Sequence, residues 1–122
     1  MFENILIVNK VACDAILNEG KIWEIRGYPT HKRGRIGLTS SGTRKVFGTV
    51  EIIDCIKLNK ELFDNSIMEH HIDLTWQELV KHTPEPYAWV LDGDSVEVFD
   101  EPLPFKYPQG AVRWVKYIPD EN

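Results

Sequence analysis

The densest chemistry in the sequence is Gly20-Lys21-Ile22-Trp23-Glu24-Ile25-Arg26, where a glycine releases the chain into a segment bearing a cation, an acid and a second cation. Two cations around one carboxylate leave a surplus positive charge for a phosphate or an anionic intermediate. On a regular strand Ile22, Glu24 and Arg26 share a face, while Trp23 and Ile25 point the other way, into the core. Lys21 formally belongs with the second set, but its long stem opens the strand beside a glycine and can reach round to Glu24 and Arg26. The competing explanation is a surface ion-pair ladder, worth only about 0–1 kcal/mol.

Charge is divided sharply along the chain. The net charge is −5, yet residues 21–45 hold Lys21, Arg26, Lys32, Arg33, Arg35, Arg44 and Lys45 against the single acid Glu24, a balance of +6, and the remainder carries −11. A segment like this folded onto one face would put a basic patch on an acidic body, which attracts a phosphate-bearing ligand locally while repelling bulk polyanion. Arg33 and Arg35 are the expected phosphate contacts at its rim. Ser40, Ser41 and Thr43, in a glycine loop, can donate to phosphate oxygens or simply form the turn. Tyr87 and Trp89 alternate on one strand face and could stack a base, with Trp89 equally suited to the core; Trp23, Trp76 and Trp114 are assigned to packing.

Other reactive types are less organised. His70 and His71 are adjacent and diverge, His82 and His31 are isolated, and no spacing fits a metal, so no metal and no cofactor is expected and the histidines are read as solvated or hydrogen-bonded. Cys13 and Cys55 are too few for a disulfide scaffold or a thiolate metal site and are read as inert.

These residues need a frame. A chain of 122 residues allows one domain over 1–122, and 43% hydrophobic with 27% charged residues is ordinary globular usage. No stretch reaches the roughly 18 apolar residues of a membrane span, and the run Ile5 to Val8 lacks the flanks of a leader, so a reducing cytoplasm and no membrane partner are expected. Ile5 to Val8 reads as a strand, Asn9 as the N-cap of a helix over Lys10 to Asn18, and Gly20 as its stop. Strands follow at Ile22 to Arg26, Gly34 to Ser40 and Val46 to Leu58, with a bulge or bend at Gly48. After a mainly polar stretch, Thr75 and Glu78 stand at capping-box spacing before a short helix through Val80. Tyr87 to Leu91 and Ser95 to Phe99 flank Asp92-Gly93-Asp94 as a hairpin, and a last strand runs from Val112 to Tyr117. Six or seven strands against two or three short helices give an α+β, mainly β fold: a small barrel closed antiparallel, with helical inserts and a ligand cleft between barrel and inserts.

The G-K-x-x-E-x-R segment resembles the motif of the ASCH family, part of the PUA-like superfold. The resemblance continues through residues 33–43, through Gly48-Thr49-Val50-Glu51-Ile52-Ile53-Asp54, through Pro86-Tyr87-Ala88-Trp89-Val90-Leu91, and through residues 108–115. It implies a PUA-like β-barrel whose cleft accepts RNA or a modified nucleoside or nucleotide through Lys21, Glu24 and Arg26, assisted by Ser40, Ser41, Thr43 and Tyr87. Some small ASCH proteins are amidohydrolases that deacetylate acetylated cytidine with a lysine, a threonine three residues on and a later glutamate. Lys21 matches that lysine, but Glu24 stands at the threonine, and the later region offers Glu69, His70, His71 or Asp73 without distinguishing among them. A carboxylate cannot replace a hydroxyl nucleophile, so the enzyme alternative needs a water-based step with Glu24 as general base and Lys21 stabilising negative charge. Ribonuclease action or a protein-interaction role are the remaining alternatives.

Overall fold

The computed structural model describes residues 2–108, 110 and 113–120. Its elements in chain order are β1 (Asn4–Val8), α1 (Lys10–Asn18), β2 (Trp23–Arg26), β3 (Gly34–Ser40), β4 (Lys45–Lys57), α2 (Lys60–Asp64), α3 (Ile67–His70), α4 (Trp76–His82), β5 (Tyr87–Pro104) and β6 (Trp114–Lys116). The strands form one sheet in the order β2-β5-β4-β3-β1-β6, curled into a half-barrel. The mainly-β class is as expected, but antiparallel closure is not. β1 and β3 run parallel, because α1 and β2 intervene between them and return the chain in the same direction.

β1 explains its own composition. Leu6 and Val8 enter the core between α1 and the sheet, with Ile16, Leu17, Leu38, Val50 and Trp89. Ile5 and Ile7 enter a second cluster with Phe2, Val46, Phe105 and Val115. A strand buried on both faces reads as an unbroken apolar run. A third cluster, Trp23, Leu58, Phe63, Leu79 and Ala88, seats the helical insert against the β2 end of the sheet.

Local signals decide the helix ends. Asn9 Oδ1 accepts from Ala12 N at 2.7 Å and starts α1, and the Thr75–Glu78 capping box forms in both directions. The stretch read as merely polar contains two short helices, α2 and α3. Asn59 caps α2, but each has too few turns to impose a periodicity on its sequence.

The expected hairpin at Asp92-Gly93-Asp94 is not one: β5 continues through it. Asp92 pairs with Glu51 and Glu97 with Thr49, so residues 93–96 stand against Val50 alone as a wide bulge. Asp94 N donates to Asp92 Oδ1 at 3.0 Å, and Ser95 Oγ donates to Asp92 O at 2.6 Å while accepting from Glu51 N at 2.8 Å. The turn residues bend the strand without reversing it. Of the last expected strand, Trp114–Lys116 pairs with β1, and Val112 lies outside the described residues.

Gly48 marks a register shift between β4 and β5, as its sequence position suggested. A Cβ there would collide with the carbonyl oxygen of Glu97 and lie 2.9 Å from Leu17 Cδ2. The carbonyl belongs to the paired strand and cannot step aside. Gly48→Ala is therefore expected to lower stability by about 1–3 kcal/mol, read as a lower urea midpoint at unchanged m-value.

Candidate functional site

Gly20, at φ +81°, turns the chain out of α1. Lys21 N then donates to Ala15 O at 3.1 Å and Ile22 N to Glu69 O at 3.0 Å, so position 21 is pinned between α1 and α3 before the pleat of β2 begins. Strand alternation therefore does not govern Lys21. Its side chain is buried, and Nζ donates to the carbonyl oxygen of His70 at 2.5 Å with Glu24 Oε1 at 3.9 Å. Glu24 is also buried, on a strand whose Trp23 and Ile25 pack toward the insert.

Arg26 completes the triad from behind. Its Nε and Nη2 donate to Glu24 Oε2 at 3.0 and 2.9 Å, Nη2 also donates to Ile7 O at 3.0 Å, and the guanidinium lies 5.6 Å from the ring centroid of Trp89. Its donors are thus directed at the fold, making Arg26 the brace that orients the carboxylate.

Lys21 and Glu24 open into a cleft of about 380 Å³ between α1, β2 and the turn after α3, lined also by Asn9, Ala12, His71 and Asp73. This is the expected place, between sheet and insert. Burial lowers the Lys21 pKa from the ordinary lysine value, the Glu24 charge opposes that shift, and Arg26 adds to it.

The other expected residues lie elsewhere. Ser40 and Thr43 line a separate hollow of about 180 Å³ with Cys13 and Leu17, against nearly the opposite face of α1. Thr43 Oγ1 donates to Ser40 O at 2.7 Å and Ser41 Oγ to Val8 O at 3.1 Å, as turn-forming side chains do. Arg33 and Arg35 border a third hollow of about 430 Å³ with Lys32, Glu3 and Asn4. Arg35 is held there by Thr49 Oγ1 at 2.7 Å, Ser95 O at 3.0 Å and Glu51 at 3.3 Å. Tyr87 is half-buried against the main core opposite Arg26, and Trp89, fully buried, donates Nε1–H to Tyr28 O at 3.0 Å. Trp89 is thus core and presents no face to a base. Burial pushes the Cys13 thiol up to about 11, so it stays a thiol.

Of the later residues that sequence left undistinguished, His71 and Asp73 line the cleft, while His70 turns inward and supplies the carbonyl that holds Lys21. The sequence marks Asn9, Val11 and Ala12 only as a helix cap and helix residues. Their place in the wall depends on how α1 lies on the sheet, for which one sequence carries no signal. Among the described residues no group of three His, Cys, Asp or Glu is arranged to hold a metal ion.

The same half-barrel occurs in solved structures. A crystal structure of ASCH from Zymomonas mobilis matches with a TM-score of 0.58 at 16% identity, covering 83% of this chain and 70% of that one. A tyrosine-to-phenylalanine mutant of the Zymomonas mobilis protein gives 0.66 at 16% identity, covering 97% and 91% of the two chains. This chain has the ASCH fold. A serine-to-alanine mutant of that ASCH protein matches with a TM-score of 0.62 at 15% identity, over 95% and 88%. No family model matches the sequence, and no curated protein is detectably similar to it. No helix among the described residues of this ASCH-fold chain is long and apolar enough to cross a membrane.

Removing the brace should expose its role. Arg26→Ala leaves Glu24 buried opposite only a distant ammonium and Ile7 O without its side-chain donor. It is expected to cost about 3 kcal/mol, a loss that urea denaturation of the two proteins will measure.

Proposed function

We propose that the cleft binds the base of a modified nucleoside or nucleotide, free or within RNA, with Lys21 and Glu24 as the contacting pair and Arg26 as positioning residue. The observation that carries this reading is the dehydrated Lys21–Glu24 pair opening into a hollow of about 380 Å³. That volume falls in the range of small-ligand sites. A carboxylate accepts from an amino or imino N–H and an ammonium donates to a carbonyl oxygen, which together read the polar edge of a base. Val11, Ala12, Ala15, Ile25 and Ile72 supply apolar wall for its faces.

Phosphate belongs outside the cleft in this reading. Glu24 and Asp73 balance Lys21 and the Arg26 bonded behind Glu24, so a polyanion gains nothing by entering. Lys32, Arg33 and Arg35 around the third hollow are the group suited to a phosphate, as the rim contacts of a longer strand. The Ser40–Thr43 loop has no part in the cleft and is kept only as a secondary polar surface.

Lys21→Ala is expected to weaken binding of cytidine or N4-acetylcytidine by about tenfold or more, as loss of a charge-assisted contact should. The substitution also leaves the His70 carbonyl without its donor, so a lower melting temperature is expected, and affinities are compared at a temperature where circular dichroism shows both proteins folded. Isothermal titration calorimetry on both proteins decides it: unchanged affinity removes Lys21 from the site.

One observation favours an enzymatic second reading, hydrolysis of the acetyl amide of an acetylated cytidine. The lowered pKa of Lys21 beside a carboxylate is the arrangement acid–base chemistry requires. Glu24 would take a proton from water as its oxygen bonds to the acyl carbon, with Lys21 holding the developing oxyanion. The C–N bond then breaks as the proton passes to the departing amine, leaving acetate and cytidine. Under this reading N4-acetylcytidine is converted to stoichiometric acetate and cytidine, and Glu24→Gln abolishes turnover. Retention of the nucleoside without product, followed chromatographically, leaves binding alone.

A further inference from the structure

His70 lies outside the cleft, yet every polar atom it owns is committed to shaping it. The ring is 1% exposed and stacks on Phe63 at 4.1 Å with an interplanar angle of 2°. Nδ1 accepts from Ile72 N at 2.9 Å. A backbone N–H can only donate, so Nδ1 carries no proton and the proton sits on Nε2, which donates to Phe63 O at 2.9 Å. The carbonyl of the same residue takes Lys21 Nζ. His71, at φ +56°, then turns the chain so that His71, Ile72 and Asp73 face the cleft. Two ring nitrogens, one neutral tautomer and one carbonyl thus join α2, the 70–73 turn and the buried ammonium.

We infer that His70 is the positioning residue of the cleft and the group that makes it pH-sensitive: its neutral ring holds the turn that places Lys21 and the 71–73 wall, and protonation at Nδ1 releases both. This rests on the cleft being the binding site proposed above. A proton on Nδ1 would meet the Ile72 N–H donor to donor, so the turn must open, and the carbonyl that holds Lys21 moves with it. The charged groups acting on the ring are Lys21 and His71, which oppose its protonation, and Glu69, which favours it. Burial, the largest influence, also opposes it, and the Phe63 carbonyl favours it, with a net lowering from the ordinary histidine value. The folded protein therefore binds fewer protons here than the unfolded chain. Its contribution to stability is whole above the unfolded value of about 6.5 and falls as pH drops below it toward the folded value.

Two readouts test this, one independent of any ligand. In the free protein, 15N NMR of the imidazole at about pH 7 should report the Nε2–H tautomer. On acidification the Ile72 amide and the Lys21 side-chain resonances should move with the midpoint of His70, not with that of His71. Movement with His71, or no movement while His70 titrates, overturns the inference. In calorimetry with N4-acetylcytidine, affinity should fall about tenfold from well above the His70 midpoint that NMR reports to one pH unit below it. His70→Asn, which keeps an acceptor for Ile72 N but cannot titrate, should vary no more than about twofold over that range. Persistence of the full pH effect in His70→Asn overturns the inference. Absence of nucleoside binding at every pH defeats the binding proposal, and the NMR result still decides the role of His70.

Discussion

One buried ammonium organises this end of the molecule. Stripping water from a lysine head is costly unless every proton it carries meets an oxygen, and a low-dielectric surround magnifies the cost of any partner lost. Lys21 is held by a backbone carbonyl at 2.5 Å and faces a carboxylate at 3.9 Å that is itself tied to a guanidinium. That order matters. The nearer partner is a neutral dipole, so the carboxylate is not consumed by a tight ion pair and keeps acceptor capacity toward the cleft. Arg26 supplies the compensation Glu24 needs from the side away from the cleft, and Trp89 backs Arg26. The tryptophan with no exposed surface thus acts on the site through two charged residues in turn.

Three elements must agree for that ammonium to be satisfied. α1 ends so that Ala15 O receives Lys21 N, β2 begins one pleat later so that Glu24 and Arg26 point together, and α3 delivers Glu69 O to Ile22 and His70 O to Lys21. The insert is therefore a wall of the site as well as a cover for the third apolar cluster, and its packing through Phe63 and Leu79 sets where the carbonyl of His70 stands.

What sequence could disclose follows the same physics. Asn9, Thr75 and Glu78 act on backbone groups within three residues, and their helix starts were legible from spacing alone. So were the strands of the half-barrel and the resemblance to ASCH proteins, which five fragments in order carried and the solved structures support at the level of fold. Asp92-Gly93-Asp94 misled because an Asx-bonded bulge and a hairpin use the same residues; the choice lies in what β4 offers opposite. α2 and α3 escaped notice because a helix of one turn has no periodicity to find, and with them went the role of His70. Clustering of seven cations in 25 residues is legible but does not place them on one face: Lys21 is buried at the cleft with Arg26 half-buried behind it, Arg33 and Arg35 border another hollow, and Arg44 precedes and Lys45 opens β4. Proximity in sequence places charges on one face only if the chain does not reverse between them, and here it reverses twice.

The helix that separates the hollows bears most directly on selectivity. Asn9, Val11, Ala12 and Ala15 turn toward the cleft, and Lys10, Cys13, Asp14 and Leu17 toward the hollow of Ser40 and Thr43, as a period of 3.6 residues requires. Hydroxyl donors suited to an anion are thereby kept from the Lys21–Glu24 pair, and, with the Arg26 behind Glu24 counted, the cleft has no surplus of cations. In the binding proposed for the cleft, no net positive charge would draw a phosphate inward, so the uncharged part of a nucleotide would enter and its phosphate would stay toward the arginines outside. The positive surplus that two cations around one carboxylate suggest in the sequence is offset in the fold by Asp73, and that balance is what would orient a nucleotide.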